Sequence, residues 1–380
     1  MIHVEKKDKK NCSGCTACAT ICPTKAITMK SDSEGFAYPS IEEKLCTDCS
    51  LCDKVCSFHE QYERCQKAYD EPKSIVAIHN NTDIRRTSRS GGAFMAFSEY
   101  IIKQGGFVYG VALDNDCCAV HIKVSSLDKL PMLQGSKYVQ SDKKDVFSKV
   151  RSDLLLGNLI LFSGTPCEVS GLLSYLKTTN TNTERLYTCD IICHGTPSPL
   201  MWKENIKLIS KKLGKLPERV EFRDKRFGWR SHIESYQSGN KKIYSNVFTT
   251  LFYKHMFLRP ACSNCQYCNR LRSGDITLAD AWGVEKANKD IADNRGASYL
   301  LINSDKGNEL FEECNSDLKW FPFVPDQSRQ PNLEHPSTAS PIREKFWQDY
   351  RQYQYKYVSQ KYYDIISKAK LIYNILSRRY

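Results

Sequence analysis

Cysteine carries most of the chemistry legible in this 380-residue chain: eighteen are present, and eleven stand at short, regular intervals. Cys12, Cys15, Cys18 and Cys22 follow C-x2-C-x2-C-x3-C-P, closed by Pro23; Cys46, Cys49, Cys52 and Cys56 repeat the spacing with Ser57 in place of the proline. This is the ligand run of bacterial two-cluster iron–sulfur proteins, in which the first three thiolates take corners of one cube and the fourth points at the other. The expected sets therefore cross, with Cys12, Cys15, Cys18 and Cys56 on one [4Fe–4S] cluster and Cys46, Cys49, Cys52 and Cys22 on the second. A structural zinc site or a disulfide scaffold also uses grouped cysteines, but neither calls for the doubled spacing.

Three more cysteines, Cys262, Cys265 and Cys268, form C-x2-C-x2-C without a fourth nearby. A third cube needs one further thiolate, for which Cys167, Cys189, Cys193 and Cys314 are the candidates. Cys193 is favoured because it stands in a tight glycine-containing turn at a strand end, where a side chain can point into a site. Zinc, or thiols without metal, are the competing readings. Cys65, Cys117, Cys118 and Cys314 lack metal spacing and read as ordinary thiols.

The elements that must position these residues begin after a polar linker, 59–74. "SIVAIHN" at 74–80 reads as a short strand, Phe94, Phe97, Tyr100 and Ile101 keep helical spacing, Gly105 and Gly106 stop that helix, and Phe107 to Leu113 read as a strand. "NLILFSGTPCEVSGLLSYL" runs from a strand through Gly164-Thr165-Pro166 into a helix starting near Cys167. "RLYTCDIICHGTPSPLMWKENIKLI" does the same through Cys193-His194-Gly195, with a helix capped near Ser198. Strands alternating with helices predict an α/β domain with a mixed, largely parallel sheet, whose site lies at the strands' carboxyl ends. Residues 219–245 read as strands joined by turns, an insertion in that pattern.

Composition narrows the function classes. With 41% hydrophobic and 26% charged residues the chain is globular and long enough for two domains or more. The formal charge of +12 counts every cysteine as neutral; cubes with four thiolates carry about −2 each, so two or three offset roughly 4–6 units. The basic residues are also scattered, and nucleic acid is not an expected partner. No stretch approaches the roughly 18 apolar residues of a membrane span, the longest candidate being 154–162, and the opening "MIHVEKKDKK" has no apolar core of an export signal. A cytoplasmic place is expected, where so many cysteines argue for metal or redox chemistry.

The ordered set of the cysteine repeat, Ser90-Gly91-Gly92, "GSKYVQS" at 135–141, "GTPC" at 164–167, "ICHGTPS" at 192–198, "CSNCQYC" at 262–268 and "LADAWG" at 278–283 resembles the beta-subunit family of coenzyme F420 hydrogenases and dehydrogenases over roughly residues 10–315. The resemblance implies FAD and at least one [4Fe–4S] cluster, with electrons passing between cluster and flavin. Three regions are expected along the chain: a ferredoxin-like α+β two-cluster domain at 1–62, an α/β flavin and iron–sulfur domain at 63–335, and a helical tail at 336–380. The expected function is reduction of an organic substrate with electrons from ferredoxin or another low-potential donor. Three-cluster members are associated with surface-polysaccharide synthesis, which makes a glycan precursor one substrate class. A non-catalytic subunit of a larger complex, or turnover of a deazaflavin coenzyme, are the alternatives.

No G-x-G-x-x-G fingerprint follows a strand, so flavin would be held otherwise. Amides of Ser90, Gly91 and Gly92 at a helix N-terminus, with Arg89 or Arg86 balancing charge, are one means of holding a pyrophosphate, although a Gly-Gly pair also makes an ordinary turn. The resemblance marks Ser136, Lys137, Tyr138, Gly164 and Thr165 as further cofactor contacts. Cys167, opening a helix, is either a thiol activated by the helix dipole or a small side chain beneath the flavin. His194 either supplies a proton to the reduced substrate or hydrogen-bonds a cluster sulfur, and Asp280 is expected to stabilise the turn beside the third cluster. The tail, 350–380, is rich in tyrosine, lysine and arginine; Ile365, Ile366, Ala369, Ile372, Tyr373 and Leu376 give an amphipathic helix that either docks on its own protein or rests on an anionic membrane surface.

Overall fold

The computed structural model describes residue 4 and residues 8–59, 62, 69–291, 293–323 and 330–377; Cys65 lies outside them. In the N-terminal unit one backbone trace is used twice. Gly14 and Asp48, each before the second cysteine of its run, have φ of 70° and 52°, and Thr16 and Ser50, each after it, have φ of 73° and 57°. These left-handed residues turn the chain between successive cysteines, and each run then enters a short helix, Ala17–Ile21 or Leu51–Lys54. Between them β1 (Ile27–Ser31) and β2 (Ala37–Ile41) pair as a hairpin.

The larger domain is built on an eight-stranded sheet of order β13-β3-β12-β11-β7-β6-β4-β5. Its strands are β3 (Lys73–His79), β4 (Phe107–Leu113), β5 (Ala119–Val124), β6 (Ile160–Ser163), β7 (Leu186–Ile191), β11 (Ile276–Asp280), β12 (Ser298–Ile302) and β13 (Leu318–Pro322). Strands bury alternate residues on opposite faces. Val108, Leu161 and Tyr187 pack under helices Ala93–Lys103 and Asp305–Cys314, while Tyr109, Ile160, Phe162 and Leu186 pack under Val146–Leu155 and Pro166–Thr178. The sheet is less parallel than its sequence pattern predicts: β4–β6, β6–β7 and β7–β11 are parallel, and the other four junctions are antiparallel. The cause lies at the flanks, where β5 returns as a hairpin partner of β4 and the link from β11 to the antiparallel β12 carries, among the described residues, only the four-residue helix Val284–Ala287, too short for a crossover. The segment at 219–245 forms a separate three-stranded antiparallel sheet of β8 (Arg219–Glu221), β9 (Glu234–Ser238) and β10 (Lys241–Ser245).

This topology gathers the loops that follow β3, β6, β7 and β11 at one edge. The N-terminal unit sits against the same domain at many points, three of which bear on the site. Ala17, Val55, Cys15 and Cys18 pack with Phe147, Val169 and Leu172. The hairpin tip at Gly35 lies against Leu200, and Glu34 pairs with Arg343. The third contact is Arg259, which reaches Cys12 and Ala37.

The C-terminal segment divides in two. Helix Arg343–Lys361 buries Phe346, Trp347, Tyr350, Tyr355 and Val358 in a core shared with Trp202, Phe248 and Phe257. Helix Ile365–Leu376 buries no residue; Ile365, Ile366 and Tyr373 are 84%, 68% and 72% exposed. Among the described residues no helix is long and apolar enough to cross a membrane.

Candidate functional site

The two crossed cysteine sets differ in their surroundings. Burial pushes the Cys15 thiol up to about 11, with Cys56 and Cys12 adding to the rise. Cys18 lies well above the ordinary thiol range, through burial first and then through Cys15, Cys12 and Cys56. These mutual effects require Cys12, Cys15, Cys18 and Cys56 to stand together, and Cys15 and Cys18 pack on the larger domain. Cys22, Cys46, Cys49 and Cys52 instead line a pocket of about 370 Å³, solvent mouth included, whose lining comes from the N-terminal unit itself, with Cys49 exposed. We call the first set inner and the second outer.

A second cleft, about 520 Å³ with its mouth, lies where the larger domain meets the inner set. It is lined by Cys193, Cys262, Cys265 and Cys268, by Cys167, and by Ser13 of the N-terminal unit. Amides already point at sulfur here: Gly195 N–H donates to Cys193 Sγ at 3.4 Å and Thr196 N–H to Cys262 Sγ at 3.2 Å. Gly195 has φ of 121°, and a Cβ there would crowd Leu258 at 3.0 Å, so this tight turn needs glycine. A hydrogen bond with Cys268 holds the Cys265 thiol down to about 7. Cys189 and Cys314 are elsewhere, buried in the core beneath the sheet, which leaves Cys193 and Cys167 as the candidates for a fourth ligand. Among the described residues no three His, Cys, Asp or Glu side chains converge on a single ion; a cube takes its thiolates at separate corners and asks for no such convergence.

Beside the cleft, residues from four loops form a basic aromatic cluster. Arg223 Nη1 donates to Asp280 Oδ2 at 2.7 Å and to Tyr138 Oη at 3.3 Å, and Trp229 Nε1 donates to Asp280 Oδ1 at 2.9 Å. Arg89 donates to the carbonyls of Arg223 and Trp229, and its buried Nε has no partner among the described residues. Burial, then Arg223, lowers the Arg89 guanidinium to about 10. Lys225 donates to the carbonyls of Arg85 and Ser90, and burial, then Arg89 and Arg85, brings it to about 7. Lys137 donates to the carbonyls of Gln134 and Met132, and burial brings it to about 7. Asp280 is committed to Arg223 and Asp293 to Arg85, so among the described residues the hydrogen bonds of Arg89, Lys225 and Lys137 go to carbonyl oxygens, and Asp280 acts on Arg89 and Lys225 through space alone. Rings connect this cluster to the cleft: His194 lies 5.0 Å from Tyr253 and 5.4 Å from Phe252, and Phe252 stacks on Tyr138 at 5.2 Å.

Several expectations change at this level. Cys167 is not activated: burial raises its thiol well above the ordinary value, with Glu168 and Cys265 adding to the rise, and these outweigh the helix N-terminus. His194 does not turn to sulfur, since Nε2 meets His255 Nε2 at 2.8 Å and Nδ1 meets Asn332 Oδ1 at 3.3 Å; burial and His255 lower it to about 4. The Gly91 amide donates to Ser298 Oγ at 3.0 Å, and a Cβ at Gly91 would lie 2.2 Å from Ala77 O, so this glycine serves close packing. Ser90 donates to Ala297 O, and Gly92 caps helix Ala93–Lys103 with φ of 98°. Asp280 holds the insertion's Arg223 rather than a turn beside the cysteines. Thr165 and Glu168 form a capping box at the Gly164 turn, and the buried Glu168 pairs with Lys143 at 2.7 Å. Ser136 is half-buried beside Lys137. Sequence reasoning missed Arg223, Lys225 and Trp229, whose signal was the basic and aromatic run "RDKRFGW", and it missed Arg259, which has no spacing signal.

Two family models match. Residues 157–320 match the C terminus of the coenzyme F420 hydrogenase/dehydrogenase, beta subunit, and residues 11–59 match a 4Fe-4S dicluster domain. Over residues 157–320 the chain is similar to that beta-subunit family. It is an iron–sulfur electron-transfer protein related to the F420 hydrogenase beta subunit. The beta-subunit match covers β6, β7 and β11 with the turns that carry Cys167, Cys193 and Asp280, and all three cysteines of the 262–268 run. Among solved structures, a chain in "Xenon derivatization of the F420-reducing [NiFe] hydrogenase complex from Methanosarcina barkeri" is similar at 13% identity with a TM-score of 0.48, over 77% of this chain and 91% of that one. No curated protein matches.

Proposed function

We propose that this chain is an iron–sulfur flavoprotein oxidoreductase. Its outer cysteine set faces a ferredoxin-like donor, its inner set and the cleft hold the next two clusters, and FAD at the basic aromatic cluster serves an organic substrate. Cubes supply one-electron transfer, and a flavin gathers two electrons and delivers a hydride. The observation that carries this reading is the unbroken order of the four sites, from the exposed Cys49 through the inner set and the cleft to the rings of His194, Phe252 and Tyr138. Cys193 is the fourth cleft ligand in this reading, because it lines the cleft with Cys262, Cys265 and Cys268 and an amide already supports its sulfur. The residues also fit an anionic cofactor. Half-buried cations whose hydrogen bonds go to carbonyls, and an orphaned Arg89 Nε, suit an anion such as a diphosphate. A glycan precursor is the substrate class suggested by the sequence resemblance. The exposed helix Ile365–Leu376, with Lys368 and Lys370, gives peripheral contact with an anionic membrane surface.

The test is flavin reduction. Reduced ferredoxin or dithionite should bleach the bound flavin, while NADH should not, and Cys12→Ser or Cys46→Ser should slow reduction by ferredoxin with FAD retained. Rapid reduction by NADH, or wild-type rates in both variants, would overturn the order of transfer.

A further inference from the structure

Arg259 is 1% exposed, and among the described residues no carboxylate pairs with it. Its Nε donates to Cys12 O at 2.7 Å, Nη1 to Gln140 Oε1 at 2.9 Å, and Nη2 to Ala37 O at 3.0 Å and Cys12 Sγ at 3.6 Å. Its guanidinium lies 4.2 Å from the ring centre of Tyr38. The chain makes room for it at Gly14, where a Cβ would stand 2.8 Å from Nη1. On its backbone side, Arg259 N–H donates to Thr196 O and Arg259 O accepts from Cys262 N–H, both at 2.9 Å. Its charge also opposes the burial that raises the Cys262 thiol. A charged group thus sits between the inner cysteine set and the cleft, where among the described residues it meets carbonyl and amide dipoles, sulfur and the Tyr38 ring. Burying an unpaired cation is expensive unless negative charge answers it.

We propose that Arg259 sets the reduction potential of the cluster held by Cys12, Cys15, Cys18 and Cys56, as a buried positive charge and hydrogen-bond donor aimed at Cys12 sulfur. This rests on reading those four cysteines as cluster ligands. Adding one electron takes a cube with four thiolates from about −2 to about −3. A nearby cation stabilises the second state more than the first, and a donor to sulfur acts in the same sense. The inner site therefore holds its electron more tightly than it would without Arg259, whereas the outer set is beyond its contacts. The same charge also favours electron arrival in the cleft.

The experiment is a redox titration of the anaerobic protein followed by electron paramagnetic resonance, for wild type, Arg259→Gln and Arg259→Lys. The Gln variant, with iron content unchanged, should shift the inner cluster to lower potential and leave the outer one in place, and the Lys variant should recover most of the shift. A Gln variant that is less stable yet titrates as wild type would reduce Arg259 to a structural strut and overturn the proposal. Should Arg259→Gln fail to assemble, wild-type protein carrying nitrogen-15 arginine answers the same question. A nitrogen-15 coupling at the reduced inner cluster supports the contact, and its absence refutes it. Iron content of about four per chain in wild type would instead strike at the ligand reading itself.

Discussion

The cysteines of the N-terminal unit and those of the cleft solve the same problem by different means. In the N-terminal unit a single backbone trace is written twice, with left-handed residues at Gly14, Thr16, Asp48 and Ser50 turning the chain between ligands. In the cleft the cysteines come from distant segments: the parallel pairing of β6 and β7 sets the turns of Cys167 and Cys193 side by side, and the bonds of Arg259 to Thr196 and of Arg272 to Ile191 bring the 262–268 run to them. A local motif carries its geometry with it. A site assembled from strand ends is only as good as the sheet and the buried charges that hold its turns.

The sharpest way to break this comparison is to remove one cleft cysteine. Cys193→Ser should lose about a third of the iron while both N-terminal clusters survive, because thiolate is the ligand an iron–sulfur site selects; Cys167→Ser should keep all of it. Iron analysis and the reduced spectra of the two variants decide, and the reverse pattern would give the fourth corner to Cys167.

What could be read in advance follows the same division. The doubled spacing of the first eight cysteines was legible because ligand spacing is short-range. The helix near Cys167 and the Ser198 cap were also legible, since a Pro or Ser at a strand-to-helix junction marks its own position, and Ser198 Oγ does accept from Met201 N–H. The basic aromatic cluster was legible only in part: Arg89, Lys137 and Tyr138 were marked, but Arg223, Lys225 and Trp229 were not, because they join the cluster only once the insertion at 219–245 folds over the sheet edge. The thiol of Cys167 was misjudged for a related reason. A helix N-terminus is visible in sequence, but the burial and neighbouring Glu168 that outweigh it are not.

The next largest effect concerns the charges behind the cleft. Burial alone would raise the Glu168 carboxyl, but Lys143 and His121 hold it down to about 2. Glu168→Gln leaves Lys143 buried without its partner and should cost about 3–5 kcal/mol near neutral pH, read as a lower Tm. Because the folded value lies below the usual 4.5, the ion pair contributes fully above that pH. The gap between wild type and variant should close as pH falls toward 2. A gap that stays constant with pH would mean the pair contributes no charge energy.

A smaller effect tests how the two regions touch. A Cβ at Gly171 would lie 2.8 Å from Cys15 Sγ, so Gly171→Ala should cost about 1–3 kcal/mol and broaden the inner cluster's signal while the outer one is unchanged. The smallest change in stability is expected at the exposed helix: Ile365→Ser with Ile366→Ser should stay within about 0.5 kcal/mol of wild type, yet lose binding to vesicles containing anionic lipid. Equal vesicle binding by variant and wild type would remove that helix from any membrane role.

One measurement decides whether the cleft and the basic aromatic cluster are cofactor sites: iron and released flavin counted per chain in anaerobically purified protein. Three cubes and one FAD require about twelve irons and one flavin. About eight irons without flavin would leave the N-terminal clusters standing and contradict the cleft, the cation cluster and the path between them.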